Sequence, residues 1–398
     1  MNLLFISMSA RIIRDTKNRL YLNAHLSRNV ICRYAELCDN LHFILRDSGI
    51  VVDPLEASTK YEKFPDDLAG VCVGYNPYSP MVNIIRFDKR RDTEKKIESE
   101  IKWADKIIIS SATGIYTRIA INYCRQHNKK FLLMVGGFGF ETDWNHGWTG
   151  KIVALKHELE MKKNIKSSEY TLYVTEYALQ ERYPCAGRTI GISDVEIEDL
   201  SPTIITNRIE KIKRNYLKDA QSFILGTAAK IDDPRKGHST VLKALKVLKD
   251  KGIDNISYEL LGAGDSTYLR DYAKKLGISE MICFKGSLPH SKVYEWYDSI
   301  DLYVQPSYTE GLCRAVVEAM SRGCPVICTD VGGNKELCGK DFLIKKGDSK
   351  TLANKILSIL KYETQIEMSE ANFNEARRFI NTDLDVKRKE FLMDFINS

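Results

Sequence analysis

The chain has 398 residues, 43% of them apolar and 28% charged, with a formal net charge of +6. That length exceeds what one ordinary hydrophobic core serves, so two domains are expected of a globular protein, and no apolar run is long enough to cross a bilayer. The positive excess is too small to argue for nucleic acid, and ten cysteines scattered without a Cys-x-x-Cys pair argue for reduced, buried thiols rather than a zinc site.

The first residues, 1–7, carry a short apolar run without a basic leader. They read as a buried first strand rather than a signal peptide, which places the protein in the cytoplasm. Further apolar runs at 41–45, 105–110, 131–135 and 172–175 read as strands, and residues 115–126 show helical spacing. Strands alternating with helices argue for a parallel sheet. Two stretches are basic. One is Arg86 to Lys96; the other is Lys151, Lys156, Lys162, Lys163 and Lys166, interleaved with Ile152, Leu155, Leu159 and Ile165. The simpler reading of the second is a solvated helix face. The alternative is docking on anionic lipid. Residues 192–215 turn from acidic to basic and read as a linker.

The second half repeats the pattern. Strands are expected at 223–225, 256–261, 281–284, 302–304, 326–328 and 342–344. A helical stripe of Val241, Leu242, Leu245 and Leu248 stops near Gly252, and helices are expected at 351–361 and 385–397. The expected division is an N-terminal domain over 1–205, a C-terminal domain over 206–383, and a last helix, 384–398, packing back on the N-terminal domain. Ligands of such folds bind beyond the C-terminal ends of the strands, in the cleft.

Two segments there carry chemistry. The turn from Lys230 to Gly237 follows a strand and precedes a helix, so that Lys230 and Lys236 can offset charge on a departing diphosphate. Glu310-Gly311-Leu312 follows the strand at 302–304 and opens a helix that carries Glu318. A glycine at a helix start lets an anion approach backbone N–H groups. A carboxylate beside an anion site suits a ligand bearing both phosphate and hydroxyl groups, as a sugar nucleotide does. Eight helical residues rise roughly 12 Å, whereas the carboxyl pair of a glycosidase stands about 5 to 9.5 Å apart. Hydroxyl binding therefore fits Glu310 and Glu318 better than hydrolysis. Asp383 and Asp385 form an Asp-x-Asp, which reads as the acidic first turn of the last helix rather than a metal site.

Taken in order, the lysine turn, Gly262-Ala263-Gly264, Phe284-Lys285-Gly286, the Asp301 to Ser307 strand, the Glu310/Glu318 pair, Gly323-Cys324-Pro325, Gly332-Gly333 and Glu336 resemble the family 4 glycosyltransferases. The resemblance covers residues 223–344. It implies the GT-B fold, two Rossmann-like domains facing across a cleft, and a retaining, metal-independent transfer from a nucleotide-diphosphate sugar to a saccharide or lipid-linked saccharide. No cofactor is implied. Lys230, in the place usually held by arginine, and Lys236 would hold the diphosphate. Glu310 would face donor-sugar hydroxyls, and Gly311 and Leu312 would offer N–H groups. Glu318 would bind the ribose, and Gly262, Gly286 and Leu288 would lie on the nucleotide side. The leaving phosphate would help deprotonate the acceptor.

The N-terminal half departs from the family. Ser7-Met8-Ser9-Ala10-Arg11 lacks the glycine pair of many relatives, and no histidine follows Ser110-Ser111. Residues 143–147, 173–176 and 182–184 are similar to bacterial surface-polysaccharide transferases, so Glu141, Asp143 and His146 are expected on the acceptor side. A lipid-linked acceptor would bring the protein to the inner face of the membrane as a peripheral partner. Alternatives are a sugar-nucleotide epimerase of related fold and a non-catalytic partner subunit. A dinucleotide oxidoreductase is disfavoured, because Gly262-Ala263-Gly264 lacks a third glycine at fingerprint spacing.

Overall fold

The computed structural model describes residues 1–22, 26–76, 87–144, 147–195, 197, 200–217 and 222–398. Two sheets organise them. In the first, β1 (Asn2–Asp15) pairs in parallel with β3 (Asn40–Val52) on one side and β6 (Lys106–Ile109) on the other. Beyond β3 lies β5 (Gly70–Gly74), and beyond β6 lie β7 (Phe131–Val135), β8 (Tyr170–Tyr173) and β9 (Arg188–Gly191), all parallel. Two short strands, β2 (Leu20–Leu22) and β4 (Glu62–Lys63), add an antiparallel ribbon to the outer half of β1.

The second sheet is parallel throughout. Its strands are β10 (Phe223–Ala228), β11 (Ile256–Leu261), β12 (Ile282–Gly286), β13 (Leu302–Gln305), β14 (Val326–Thr329) and β15 (Leu343–Ile344), in the order β12-β11-β10-β13-β14-β15. Central strands such as β13 and β14 are buried along their whole length, which is why they read as unbroken apolar runs. The order reverses between β10 and β13. Loops leaving that switch point diverge and open a crevice, and these two loops carry Lys236 and Glu310. The expected fold class, two Rossmann-like α/β domains, is the one the chain adopts.

Several expectations need correction. The glycine-free stretch at 7–11 is not a loop. β1 runs through it with a register shift between Ser7 and Arg11, so no tight turn is there to require glycine. Residues expected to be a linker form the helix Pro202–Leu217, which crosses the expected 205/206 boundary. Its buried Arg208 donates to the carbonyls of Tyr297 and Ile300, each at 2.7 Å, and of Arg322 at 3.1 Å, fastening the helix to the C-terminal half. The helix Gly147–Lys166 has the expected solvated lysine face, but Ile152, Leu155 and Leu159 are exposed with the lysines, and Ala154, Glu158, Met161 and Ile165 face inward.

The chain crosses back to the N-terminal half near its end, where Ile380 forms an isolated bridge with Ile197. The last helix, Asn381–Asn397, then lies against N-terminal residues: Phe391 and Phe395 meet the Tyr170 ring edge-on, and Arg388 donates to Ser193 O at 2.8 Å. Asp383 sits in its first turn, and Asp385 pairs with Arg33 and Arg388. Cys324 and Cys328 are buried as small apolar groups, whereas Cys283 is exposed.

Candidate active site

The lysine turn and the glutamate loop are built as one unit. Asp233 caps the single 3₁₀ turn Pro234–Lys236, and Gly237 ends it at φ +70°, a conformation that costs a residue with a Cβ. A Cβ at Gly237 would lie 2.0 Å from Pro306 O. Tyr308 N donates to Arg235 O at 2.8 Å, so the backbones after β10 and β13 are tied together. Arg235 is occupied by Asp233 at 2.8 Å. Lys236 turns inward, and its Nζ donates to Glu310 Oε1 at 2.7 Å.

The Glu310 loop is fixed from two further directions. Gln305 Nε2 donates to Oε1 at 3.1 Å and to Ser307 Oγ at 2.7 Å, while Tyr303 OH donates to Gln305 Oε1 at 2.6 Å. Behind the loop, a Cβ on Gly332 would stand 1.9 Å from Glu310 O, and Gly333 N donates to Gly311 O at 2.6 Å. Burial works against the Lys236 ammonium, but the attraction of Glu310 outweighs it and holds its pKa above the usual lysine value. The result is a positioned cation and a positioned carboxylate at a switch point, ahead of the N-terminus of the helix Arg314–Ser321.

The other expected residues divide. Lys230 is not part of the pair: its ammonium is exposed and meets Asp232 Oδ1 at 3.1 Å. Glu318 is half-buried on its helix and accepts from Tyr297 OH at 2.9 Å. Because Glu310 precedes that helix, the helical rise does not set the spacing of the two carboxylates; each has its own partner. Gly262 and Gly286 are brought together, with Gly262 N donating to Gly286 O at 2.9 Å. A Cβ on Gly262 would stand 2.0 Å from Ala229 O, so the turns after β10 and β11 lie in contact. Leu288 is half-buried against the core.

The N-terminal half closes on the same loop. A Cβ on Gly311 would meet Gly136 O at 2.1 Å. Glu336 accepts from the backbone N–H groups of Glu176, Tyr177 and Ala178 at 2.8, 3.0 and 2.6 Å. Beside this contact is a cavity of about 760 Å³ between the halves, lined by Phe138, Glu141 and Arg182 from one and Tyr308, Asp330 and Lys345 from the other. Glu141 there accepts from Arg182 at 2.7 Å, whereas Asp143 pairs with His157 Nδ1 at 2.8 Å. His146 lies outside the described residues. Reading the chain alone did not assign roles to Gln305 or Arg182. A glutamine closing an apolar strand is the one signal for Gln305; Arg182 stands in the 182–184 stretch similar to surface-polysaccharide transferases, and the cavity gives it a place.

Comparison with known proteins bears on family and fold. The family model "Glycosyl transferases group 1" matches residues 208–379. Protein CapJ of Staphylococcus aureus is 30% identical over 311 residues, 77% of this chain and 76% of the relative. The putative teichuronic acid biosynthesis glycosyltransferase TuaC of Bacillus subtilis is 34% identical over 124 residues, 30% of this chain and 31% of the relative. Among solved structures, sucrose-phosphate synthase of Thermosynechococcus elongatus matches with a TM-score of 0.70 at 16% identity, covering 100% of this chain and 99% of the other. Anabaena HepE, solved with UDP-glucose, matches with a TM-score of 0.63 at 17% identity, covering 99% and 100%. These two share the fold. The family match and the CapJ alignment lead to one assignment: the chain belongs to the group 1 glycosyltransferases.

Proposed function

We propose that this glycosyltransferase moves a sugar from a nucleoside-diphosphate donor to a growing bacterial surface glycan, with retention of configuration and without a divalent metal. The observation that carries the reading is the Lys236–Glu310 pair at the switch point. The donor's diphosphate would meet Lys236, with Lys230 adding a mobile charge at the rim. Backbone N–H groups of Gly311 and Leu312, ahead of the helix Arg314–Ser321, would supply the rest of the anion site. Glu310 would grip sugar hydroxyls, Glu318 the ribose, and the Gly262 and Gly286 turns would flank the base. Retention and metal independence rest on the resemblance to family 4, in which the leaving phosphate helps deprotonate the acceptor on the same face.

Relatives support the donor and pathway class. HepE has been solved with UDP and with UDP-glucose. Names such as the putative colanic acid biosynthesis glycosyltransferase WcaL of Escherichia coli and TuaC refer to surface polysaccharides. The acceptor, a saccharide or lipid-linked saccharide, would enter by the cavity beside Glu141 and Arg182. A thermal-shift screen with UDP, GDP, ADP and their sugars tests the donor site, since a matched ligand raises Tm by mass action. Turnover with EDTA and the anomer of the product by NMR test the other two claims. No shift with any nucleoside diphosphate would refute the proposal.

A further inference from the structure

The helix Gly147–Lys166 is the least explained surface of the molecule. From residue 151 to 166 its exposed side chains are Lys151, Ile152, Val153, Leu155, Lys156, Leu159, Lys162, Lys163 and Lys166, every one an aliphatic or a lysine. Ile152, Leu155 and Leu159 are 70%, 62% and 60% exposed. Their spacing of three and four residues puts them in one row along the helix. At 100° per residue, Lys156, Lys163 and Lys166 fall on or beside the same row. Trp144, 44% exposed, extends it, with Lys151 Nζ 5.3 Å from its ring centroid.

Helices of globular proteins turn such a row inward. This one does not, because its opposite face is already committed. Glu158, buried there, accepts from Tyr183 OH at 2.6 Å and Arg182 Nε at 3.0 Å, while Glu160 pairs with Arg118 and His157 with Asp143. Rotating the helix to bury Leu155 and Leu159 would strip Glu158 of these partners and expel the inward-facing Met161 and Ile165. The orientation is built in.

We infer that this face docks on the surface of an anionic lipid bilayer, with Ile152, Leu155, Leu159 and Trp144 entering the headgroup boundary and the lysines meeting lipid phosphates. Charge selects this occupant. A row of aliphatics bordered by lysines, with no exposed acidic residue among the described positions 151–166, matches the in-plane amphipathic helix of a bilayer interface. A second copy seated on the same face would bring like charges together. Lysines near such a surface each strengthen binding by roughly fivefold. Arg182, which lines the cavity, is bonded to Glu158 on this helix, so a docked protein presents the cavity close to the membrane. The surface stands on its own geometry and does not depend on the transfer reaction.

Sedimentation of the full chain with vesicles tests it, using phosphatidylcholine alone and phosphatidylcholine with a third phosphatidylglycerol. Binding is expected only to the anionic vesicles and weakens with salt. Lys156→Gln with Lys163→Gln lowers affinity by roughly tenfold or more, and Leu155→Ser with Leu159→Ser does likewise. Both double variants keep the wild-type Tm and nucleoside-diphosphate binding, because the altered side chains are exposed and away from Lys236. Failure to bind anionic vesicles, equal binding to neutral ones, or unchanged binding by both variants overturns the inference. So does concentration-dependent dimerisation abolished by Leu155→Ser with Leu159→Ser, which would assign the face to a second copy. Loss of nucleotide binding with vesicle binding intact would strike only the transfer reading.

Discussion

Glu310→Gln separates the structural and chemical roles of the central pair. The substitution keeps side-chain volume and deletes charge, leaving Lys236, 27% exposed, without its carboxylate. Stranding a cation in a dry interior costs about 3–5 kcal/mol. Residual water access here reduces that to about 1–2 kcal/mol. For a domain of this size, about 2–4 °C is lost per kcal/mol, so Tm falls by about 2–8 °C. The sign with pH follows from the raised Lys236 pKa. The pair's stabilisation is fully present below the unfolded lysine value, about 10.4, and is lost as pH rises through the folded value. The stability gap between wild type and variant therefore persists at neutral pH and closes in strong alkali. Because a nucleoside diphosphate brings its own negative charge to Lys236, the variant binds it at least as tightly as wild type by calorimetry. Transfer, which needs the carboxylate on the sugar, falls about a hundredfold or more, the scale of removing one positioned polar group. Near-normal turnover, or a loss of nucleotide affinity that matches the loss of turnover, would refute the assignment of Glu310 to the sugar and Lys236 to the phosphates.

Lys236→Ala and Lys230→Ala should differ. The first raises the donor KM by about tenfold or more and lowers kcat. The second, removing an exposed ammonium, changes the donor KM by no more than about fivefold and leaves Tm unchanged, because a rim charge is worth about 0–1 kcal/mol. Gly332→Ala places a Cβ 1.9 Å from Glu310 O at φ +54°, so it should cost about 1–3 kcal/mol in denaturant melts and slow transfer by displacing the glutamate loop. The hydrogen bond that His157 Nδ1–H donates to Asp143 raises the His157 pKa above its usual value against the opposing effect of burial. That stabilisation is present below about pH 6.5 and lost as pH rises through the folded value. His157→Asn should therefore lower Tm more at pH 5.5 than at pH 8.5; an equal drop at both would contradict it.

The legible parts of the fold were those under the strongest burial. β7 and the helix Ile115–Gln126 were read with their observed bounds, since a strand covered on both faces is a plain apolar run and a core-facing helix keeps its spacing. The short strands β2, β4, β5 and β9 leave no signature in the sequence, because two to five residues are too few to establish a period. The helix Pro202–Leu217 was mistaken for a linker because its key buried residue is an arginine satisfied by three distant carbonyls. The Lys236–Glu310 pairing was foreseeable because both lie on loops that the alternating pattern sends to one end of the sheet. Lys230 was read as its equal because nothing local tells whether an ammonium turns to the cleft or to Asp232. The helix Gly147–Lys166 shows the limit of periodicity: it locates a stripe, while the buried ion pairs around Glu158 decide which way that stripe faces.

The return of the chain at Ile380 has a practical outcome for anyone dividing this protein. The N-terminal unit is discontinuous, since Phe391, Phe395 and Arg388 complete its wall from the far end of the gene. A fragment cut at the domain junction would leave Tyr170 bare in one piece and an unsupported amphipathic tail on the other. Fusing residues 381–398 to the first half through a short spacer is the division that keeps both pieces whole.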